Sequence, residues 1–432
     1  MTPTLLGYLG FVALIGLIAF GVPIAWAVTI VAFSGLSLLL GPHQAVVQFF
    51  ATAYNTGSEF LFMAIPSFIL MGQIVARSGI GENLYDTMYK WFGRLPGGLA
   101  IASITACTGF GAVTGISSAA VGTMARMVLP EMRRYNYDMT LASGSLASAA
   151  TIAIMIPPSL LMILYGLWTE TSIGKLFVAG LIPGLLTMLV FSAYILVRCY
   201  LSPELGPAGP KFSWKERWLS LANLLPVIVI FTLVIGGLYG GWFTPGEAAG
   251  VGAAATLAVS VALGRLSWAD FVEAVKDTAR LSAMIFAILI SASVLSRFFV
   301  ATQVTTSIIS WIAGSGVNNY VVLFLLLLLL LFLGCVLDAF GMVLLTLPFI
   351  FPIVTGMGFD PIWFGVQLVF LTEIALITPP IGINVFVIAK VQPDIPMAKI
   401  FLGALPFVLL SLALVVVFTI FPDIVMWLPN QM

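Results

Sequence analysis

The sequence predicts an all-α polytopic membrane protein built from two inverted repeats, and three observations lead there. Hydrophobic residues make up 61% of the 432 residues and charged residues 8%, with a mean hydropathy of +1.14, against roughly 25% charged in soluble domains. Apolar runs near the ~20 residues that cross a bilayer core recur along the chain. A spaced series of Pro, Asp, Pro-Pro, Gly and Pro occurs twice, the copies 222 to 223 residues apart.

Composition also excludes. Net charge is zero and the basic residues are scattered singly, so nothing recruits nucleic acid. Cys107, Cys199 and Cys335 lie in or beside apolar segments without paired spacing and read as small buried hydrophobes. His43 is the single histidine, which removes His-based metal sites and hydrolytic triads from consideration. The first residues lack a basic segment and a small-residue cleavage site, and apolar sequence continues to Leu40, so a retained membrane segment is expected rather than a signal peptide.

In chain order, the first half (1–200) is expected to span at 5–22, 23–40, 59–76, 139–168 and 176–198. A polar, Pro-rich linker at 201–220 follows. The second half (221–432) is expected to span at 221–241, 249–264, 281–301, 361–390 and 400–427. Two further apolar stretches, 99–130 and 320–354, are too long for one crossing and are interrupted by small and polar residues at Thr108–Ser118 and Gly334–Gly341. Such backbone survives at membrane depth only where protein or a cavity shields it, so both read as re-entrant hairpins. Segments 80–96 and 267–280 mix charged and apolar residues and read as interfacial helices or simple loops.

Pro130, Asp138 and Pro157-Pro158 recur as Pro352, Asp360 and Pro379-Pro380, while Gly180 and Pro183 recur as Gly403 and Pro406. Five crossings and one hairpin per half make the second repeat enter from the opposite side. On that topology 15 of the 17 Lys and Arg residues face one side, which the positive-inside rule makes cytoplasmic. Only Lys175 faces the other, and Arg297 lies within a span. Both termini are then periplasmic.

Inverted-repeat transporters bind solutes where broken helices expose carbonyls to cations and helix N-termini to anions. Adjacent prolines remove two donors and end helical geometry, so the breaks at Pro157, Pro158, Pro379 and Pro380 leave carbonyls free for Na⁺. Thr114, Gly115, Ser117 and Ser118, with Thr151, Ala153 and Ile156, form one candidate sodium set, Ala153 and Ile156 through main-chain oxygen. Gly334, Gly341, Thr372, Ala375 and Thr378 form its counterpart; small residues that let helices approach are the competing explanation. Asp338, Glu373, Asn384 and Arg297 are the candidate substrate contacts, because ionisable and amide groups at membrane depth are costly. For Arg297 the alternatives are snorkelling outward or structural pairing with Asp338 or Glu373.

The runs FGAVTGISSAAVG, MRRYNYD, MIPPSLLMILYG and FVAGLIPGLL, then FGVQLVFLTEIALITPPIGINVFV, resemble the large membrane subunit of tripartite ATP-independent periplasmic (TRAP) transporters over nearly the whole chain. The resemblance implies sodium-driven uptake of a small organic acid by an elevator-type transporter in the bacterial inner membrane. It implies two partners, a small four-helix membrane subunit and a periplasmic substrate-binding protein, and no cofactor beyond Na⁺ as coupling ion. Where the family often has Ser-Gly-Ser-Ser, this chain has Thr114-Gly115-Ile116-Ser117, and Ala153 stands where Gly is usual. A stand-alone sodium-dicarboxylate symporter is the nearest alternative. A channel lacks a polar stripe, and an intramembrane enzyme lacks His-Glu-x-x-His and Gly-x-Ser-x-Gly motifs.

Overall fold

The computed structural model describes residues 2–432, and the described residues form helices joined by short turns. Helix α1 (Pro3–Ala19) starts on the Thr2 cap with proline in its first turn. It ends before Gly21, which holds φ +81°, so the expected 5–22 span stops three residues early. After α2 (Ile24–Leu40) comes a helix the sequence reading missed, α3 (Pro42–Ser58). Its polar residues Gln44, Gln48, Thr52, Asn55 and Thr56 interrupt any apolar run, leaving an amphipathic pattern. A 3₁₀ turn at Phe60–Met63 leads into α4 (Ala64–Arg77), which together fill the expected 59–76 span.

Next come α5 (Ile80–Phe92), α6 (Gly98–Thr114) and α7 (Ser117–Arg134). The first hairpin is tighter than expected: α6 stays helical through Thr108–Thr114, and only Gly115 and Ile116 break it. The 139–168 span divides into α8 (Met139–Met155) and α9 (Leu160–Thr169), bent by 41° at the prolines. Every residue from Leu141 to Met155 is buried, as an all-round apolar helix must be. Helix α10 (Ile173–Leu201) closes the first half.

The linker is partly helical. Ser213 and Glu216 form a capping box on α11 (Trp214–Ser220), and the same stretch runs on through a 3₁₀ turn, α12 (Leu225–Phe231), a π segment and α13 (Gly237–Tyr239). Helix α14 (Pro245–Ala262) follows. Segment 267–280 is not separate from 281–301: both belong to α15 (Trp268–Thr302), 35 residues long. All its charges except Arg297 sit in its first half, and the Ser267 cap and Asp270 favour the helix N-terminus. A second missed helix, α16 (Val304–Ser315), is framed by Gln303 and Gly316 at positive φ and is too short to register as a crossing.

The second hairpin comprises α17 (Asn319–Gly334) and α18 (Ala339–Gly356), with only Cys335–Asp338 between them; Gly341 lies inside α18. The 361–390 span divides into α19 (Pro361–Ala375) and α20 (Ile383–Val391). Helix α21 (Met397–Ile420) and the short α22 (Asp423–Met426) replace the single span expected at 400–427.

Among the described residues, six helices are long and apolar enough to cross a membrane, seven if α8 and α9 count as one, fewer than the ten crossings expected. For α1, α2 and α19 the shortfall is one of length. Helices α1 and α2, at 17 residues each, reach about 26 Å at 1.5 Å per residue.

The repeated residues occupy matching places. Asp138 caps α8 and Asp360 caps α19, each accepting from amides of the first turn. Pro130 lies inside α7 and Pro352 inside α18, Pro183 inside α10 and Pro406 inside α21. Both Pro-Pro bonds are cis. The halves interlock through α21, which packs on α8. Phe407 meets Phe191 and Tyr194 edge-on with ring centroids 4.9 and 5.2 Å apart. A second set, α1 to α4 with α14 and α15, packs mainly among itself.

Contacts also gather the basic segments at one end of the bundle. Arg77 pairs with Asp277, Arg133 with Asp394, Gly97 N–H bonds Gly206 O and Trp91 bonds the Arg217 carbonyl. Gly7 instead lies against Thr302 at the far end of α15, some 25 residues or about 37 Å along that helix from Asp277.

Candidate functional site

The first hairpin meets the first break through small residues. A Cβ on Gly111 would stand 2.0 Å from Ala153 Cβ, and one on Gly115 3.0 Å from the Pro158 carbonyl. Gly115 also holds φ +65°, a left-handed turn that glycine adopts without penalty. The same approach recurs in the second half, where a Cβ on Gly334 would stand 2.6 Å from Ala375 Cβ. Ala153 and Ala375 are 222 residues apart. Each hairpin therefore brings its backbone onto the last helical turn before a Pro-Pro pair, where helix carbonyls lose their partners.

The hydroxyls behave less uniformly. Thr151 bonds the Ser148 carbonyl at 2.7 Å and Thr372 the Leu368 carbonyl at 2.7 Å within their own helices, Thr372 also approaching Met342 Sδ of α18 at 3.2 Å, and Thr378, just past α19, bonds the Ile374 carbonyl at 2.7 Å. Thr114 is buried and its Oγ1 has no partner, while its carbonyl packs where Gly72 leaves room. Ile156 is buried and extended, φ −86° and ψ 125°. Ser118 lines a cavity considered below.

Ser117 crosses between the halves. Its hydroxyl donates to Glu373 Oε1 at 3.3 Å, and Glu373 is fully buried in α19 with Oε2 unpartnered. Asn384 is also fully buried, with both side-chain polar atoms unpartnered. Buried polar groups normally find partners. Orphaned oxygens on Thr114 at the first hairpin tip, and on Glu373 and Asn384 to either side of the second break, suit a place that holds a solute.

Asp338 sits at the second hairpin tip as the cap of α18, its Oδ2 accepting from Phe340 N–H and Gly341 N–H at 3.1 Å each. The two breaks differ in access. Pro157 and Pro158 are buried, whereas Pro379, Pro380 and Ile381 are exposed and Asp338 is half-buried.

Arg297 does not pair with Asp338 or Glu373. It is exposed and lines a cavity of about 300 Å³ with Thr52, Asn55, Thr56, Trp168, Ser293 and Ser296, none of them a candidate residue. The adjoining cavity of about 1030 Å³ shares Asn55, Thr56, Ser293 and Ser296 and adds Glu59, Glu170 and Met432. Sequence reasoning missed this polar lining, although the spacing was present: Thr52, Asn55, Thr56 and Ser293, Ser296, Arg297 each follow i, i+3, i+4, one face of a helix.

The family model described as "Tripartite ATP-independent periplasmic transporter, DctM component" matches residues 11–424. A Pseudomonas aeruginosa C4-dicarboxylate TRAP transporter large permease protein is 32% identical over 91% of this chain and 92% of its own length. An isethionate TRAP transporter permease protein from Oleidesulfovibrio alaskensis is 32% identical over 98% of this chain and 66% of its own length. Among solved structures, the Alcanivorax borkumensis YdaH transporter superposes with a TM-score of 0.57 at 15% identity, covering 90% of each chain, a likeness of fold alone.

Proposed function

The chain belongs to the DctM component family of tripartite ATP-independent periplasmic transporters, and from that premise we propose that this large permease subunit couples sodium entry to import of a small organic acid. The observation that carries the sodium reading is the repeated close approach of Gly111 to Ala153 and of Gly334 to Ala375. Two breaks of the same kind, each roofed by a hairpin glycine, give two sets of free carbonyls for a hard cation. Thr114, Gly115, Ser117, Ser118, Thr151, Ala153 and Ile156 serve the first ion. Gly334, Gly341, Thr372, Ala375 and Thr378 serve the second.

The halves 1–200 and 221–432 are inverted repeats in this reading, and the end that gathers the basic residues faces the cytoplasm. That orientation puts the chain ends at the periplasmic face, and the protein in the inner membrane. The interlocked set α6 to α10 with α17 to α21 is the moving part of an elevator, and the set around α15 is the frame. Substrate is received on the more open side of the pair of breaks, near Asp338, Glu373 and Asn384, and Arg297 meets the anion at the periplasmic cavity. Relatives named for a C4-dicarboxylate and for isethionate, a sulfonate, point to organic anions, which supports an anionic cargo; the carboxylate reading rests on the first of them.

A small membrane subunit and a periplasmic binding protein complete the system. In proteoliposomes a panel of organic acids should be taken up only when both are present; full uptake by the permease alone assigns a stand-alone symporter instead. Asp338→Asn keeps a cap for α18 but removes its charge. It is expected to lower sodium-driven uptake about tenfold or more, the scale of one charge-assisted contact, at unchanged membrane abundance. Wild-type sodium dependence in that variant removes Asp338 from the site.

A further inference from the structure

A cavity of about 880 Å³ opens at the basic end of the bundle between α4, α7, α20 and the start of α15. Its inner limit is the amino end of α7, where Ser118 and Ala119 line it. That helix has no side-chain cap, so the first-turn amides keep their hydrogens free and the positive pole of an 18-residue helix faces the space. Farther out the walls carry Arg77, Arg126, Lys390 and Asp270.

These charges are not equivalent. Arg77 is occupied, bonded to Gln73 and Asp277. Asp270 accepts from Ser267 at the cap of α15. Arg126 and Lys390 are exposed and make no ion pair or side-chain hydrogen bond among the described residues. They stand on two helices in direct contact, since a Cβ on Gly122 would lie 3.2 Å from Val387. Arg126 is eight residues from Ser118, about 12 Å along the helix. That separation is too long for one small acid to bridge and short enough for two successive positions.

We propose that Arg126 and Lys390 form an anion-binding station for the carboxylate of the transported acid, on its route between the α7 amino terminus and the cytoplasm; this rests on the function proposed above. The free amides at Ser118 and Ala119 hold the carboxylate first, and the two unpaired cations take it as it leaves. Simple topology determinants need no cavity, no free helix terminus at its floor, and no unpaired partner on a neighbouring helix.

The test uses the permease reconstituted with its small subunit and binding protein, and the acid that the panel shows to be taken up. Exchange is measured at varied internal acid and, separately, at varied external acid. Arg126→Gln/Lys390→Gln is expected to raise the internal half-saturating concentration about tenfold, while the external value stays within about twofold. Arg126→Lys/Lys390→Arg keeps both charges and both constants. Raising internal salt should weaken internal binding in the unmodified protein and have little effect in the double Gln variant.

Single Gln variants, each shifting the internal value about threefold, serve if the double variant fails to insert. An internal constant that does not move, or moves equally with the external one, overturns the station. Absence of sodium-driven uptake by the unmodified protein overturns the proposed function instead.

Discussion

Gly111→Ala is expected to lower sodium-driven uptake about a hundredfold, the scale on which a shift of ~1 Å degrades a preorganised site. The added methyl would stand 2.0 Å from Ala153 Cβ, 2.5 Å from its Cα and 2.8 Å from its carbonyl. No rotamer relieves a contact with backbone, so the hairpin must lift from the break and carry the first ion's ligands with it. Ala153→Gly in the same background removes the nearest atom and should restore part of the activity. Gly109→Ala is the matched control on the same helix, because its methyl meets only Leu84 at an ordinary 3.4 Å. Equal losses at 109 and 111 would assign the effect to helix α6 in general and not to the contact with the break.

Gly403→Ala is expected to act on stability. A Cβ there would lie 1.9 Å from the Thr140 carbonyl, with Gly144 Cα at 3.1 Å. Helices α8 and α21 cross at this point with glycine on both sides, the small-residue packing that lets membrane helices approach closely. Overpacking a fitted core costs ~1–3 kcal/mol, and a clash with backbone on the axis joining the halves should reach the upper end of that range. A lowered thermal midpoint of the purified protein reads it directly. Gly174→Ala, whose methyl meets only Ser172 Oγ at 3.9 Å, should leave the midpoint in place.

The glycines also show what was legible in sequence. Gly403 and Gly180 stood out because they repeat with Pro406 and Pro183, and the structure uses both at close approaches. Gly111 carried no comparable mark: it sits in TGFGAVTG, where several glycines look alike, and only the packing distinguishes it from Gly109. The Pro-Pro pairs were visible because proline has an unambiguous effect on a helix. Their unequal exposure was not, since access depends on which neighbours cover a break.

Helix α3 escaped notice for a related reason. Its residues Thr52, Asn55 and Thr56 line the cavities beside Arg297, and a search for continuous apolarity discards such a helix. Arg297 was found as a charge inside a span, but pairing with Asp338 or Glu373 required a geometry that α15 does not give it. Ser117, picked for its oxygen beside the hairpin tip, turned out to bond Glu373 in the other half. A contact across 256 residues leaves no trace in local pattern.

Coupling of sodium entry to acid import is tested most directly by acid uptake into proteoliposomes holding the permease, its small subunit and its binding protein, with and without an inward sodium gradient at matched ionic strength. Uptake is predicted to accumulate acid against its own gradient when sodium is high outside, and to collapse when potassium replaces it. Accumulation of equal size without the sodium gradient would contradict the coupling, and with it the assignment of the two hairpin contacts as ion sites.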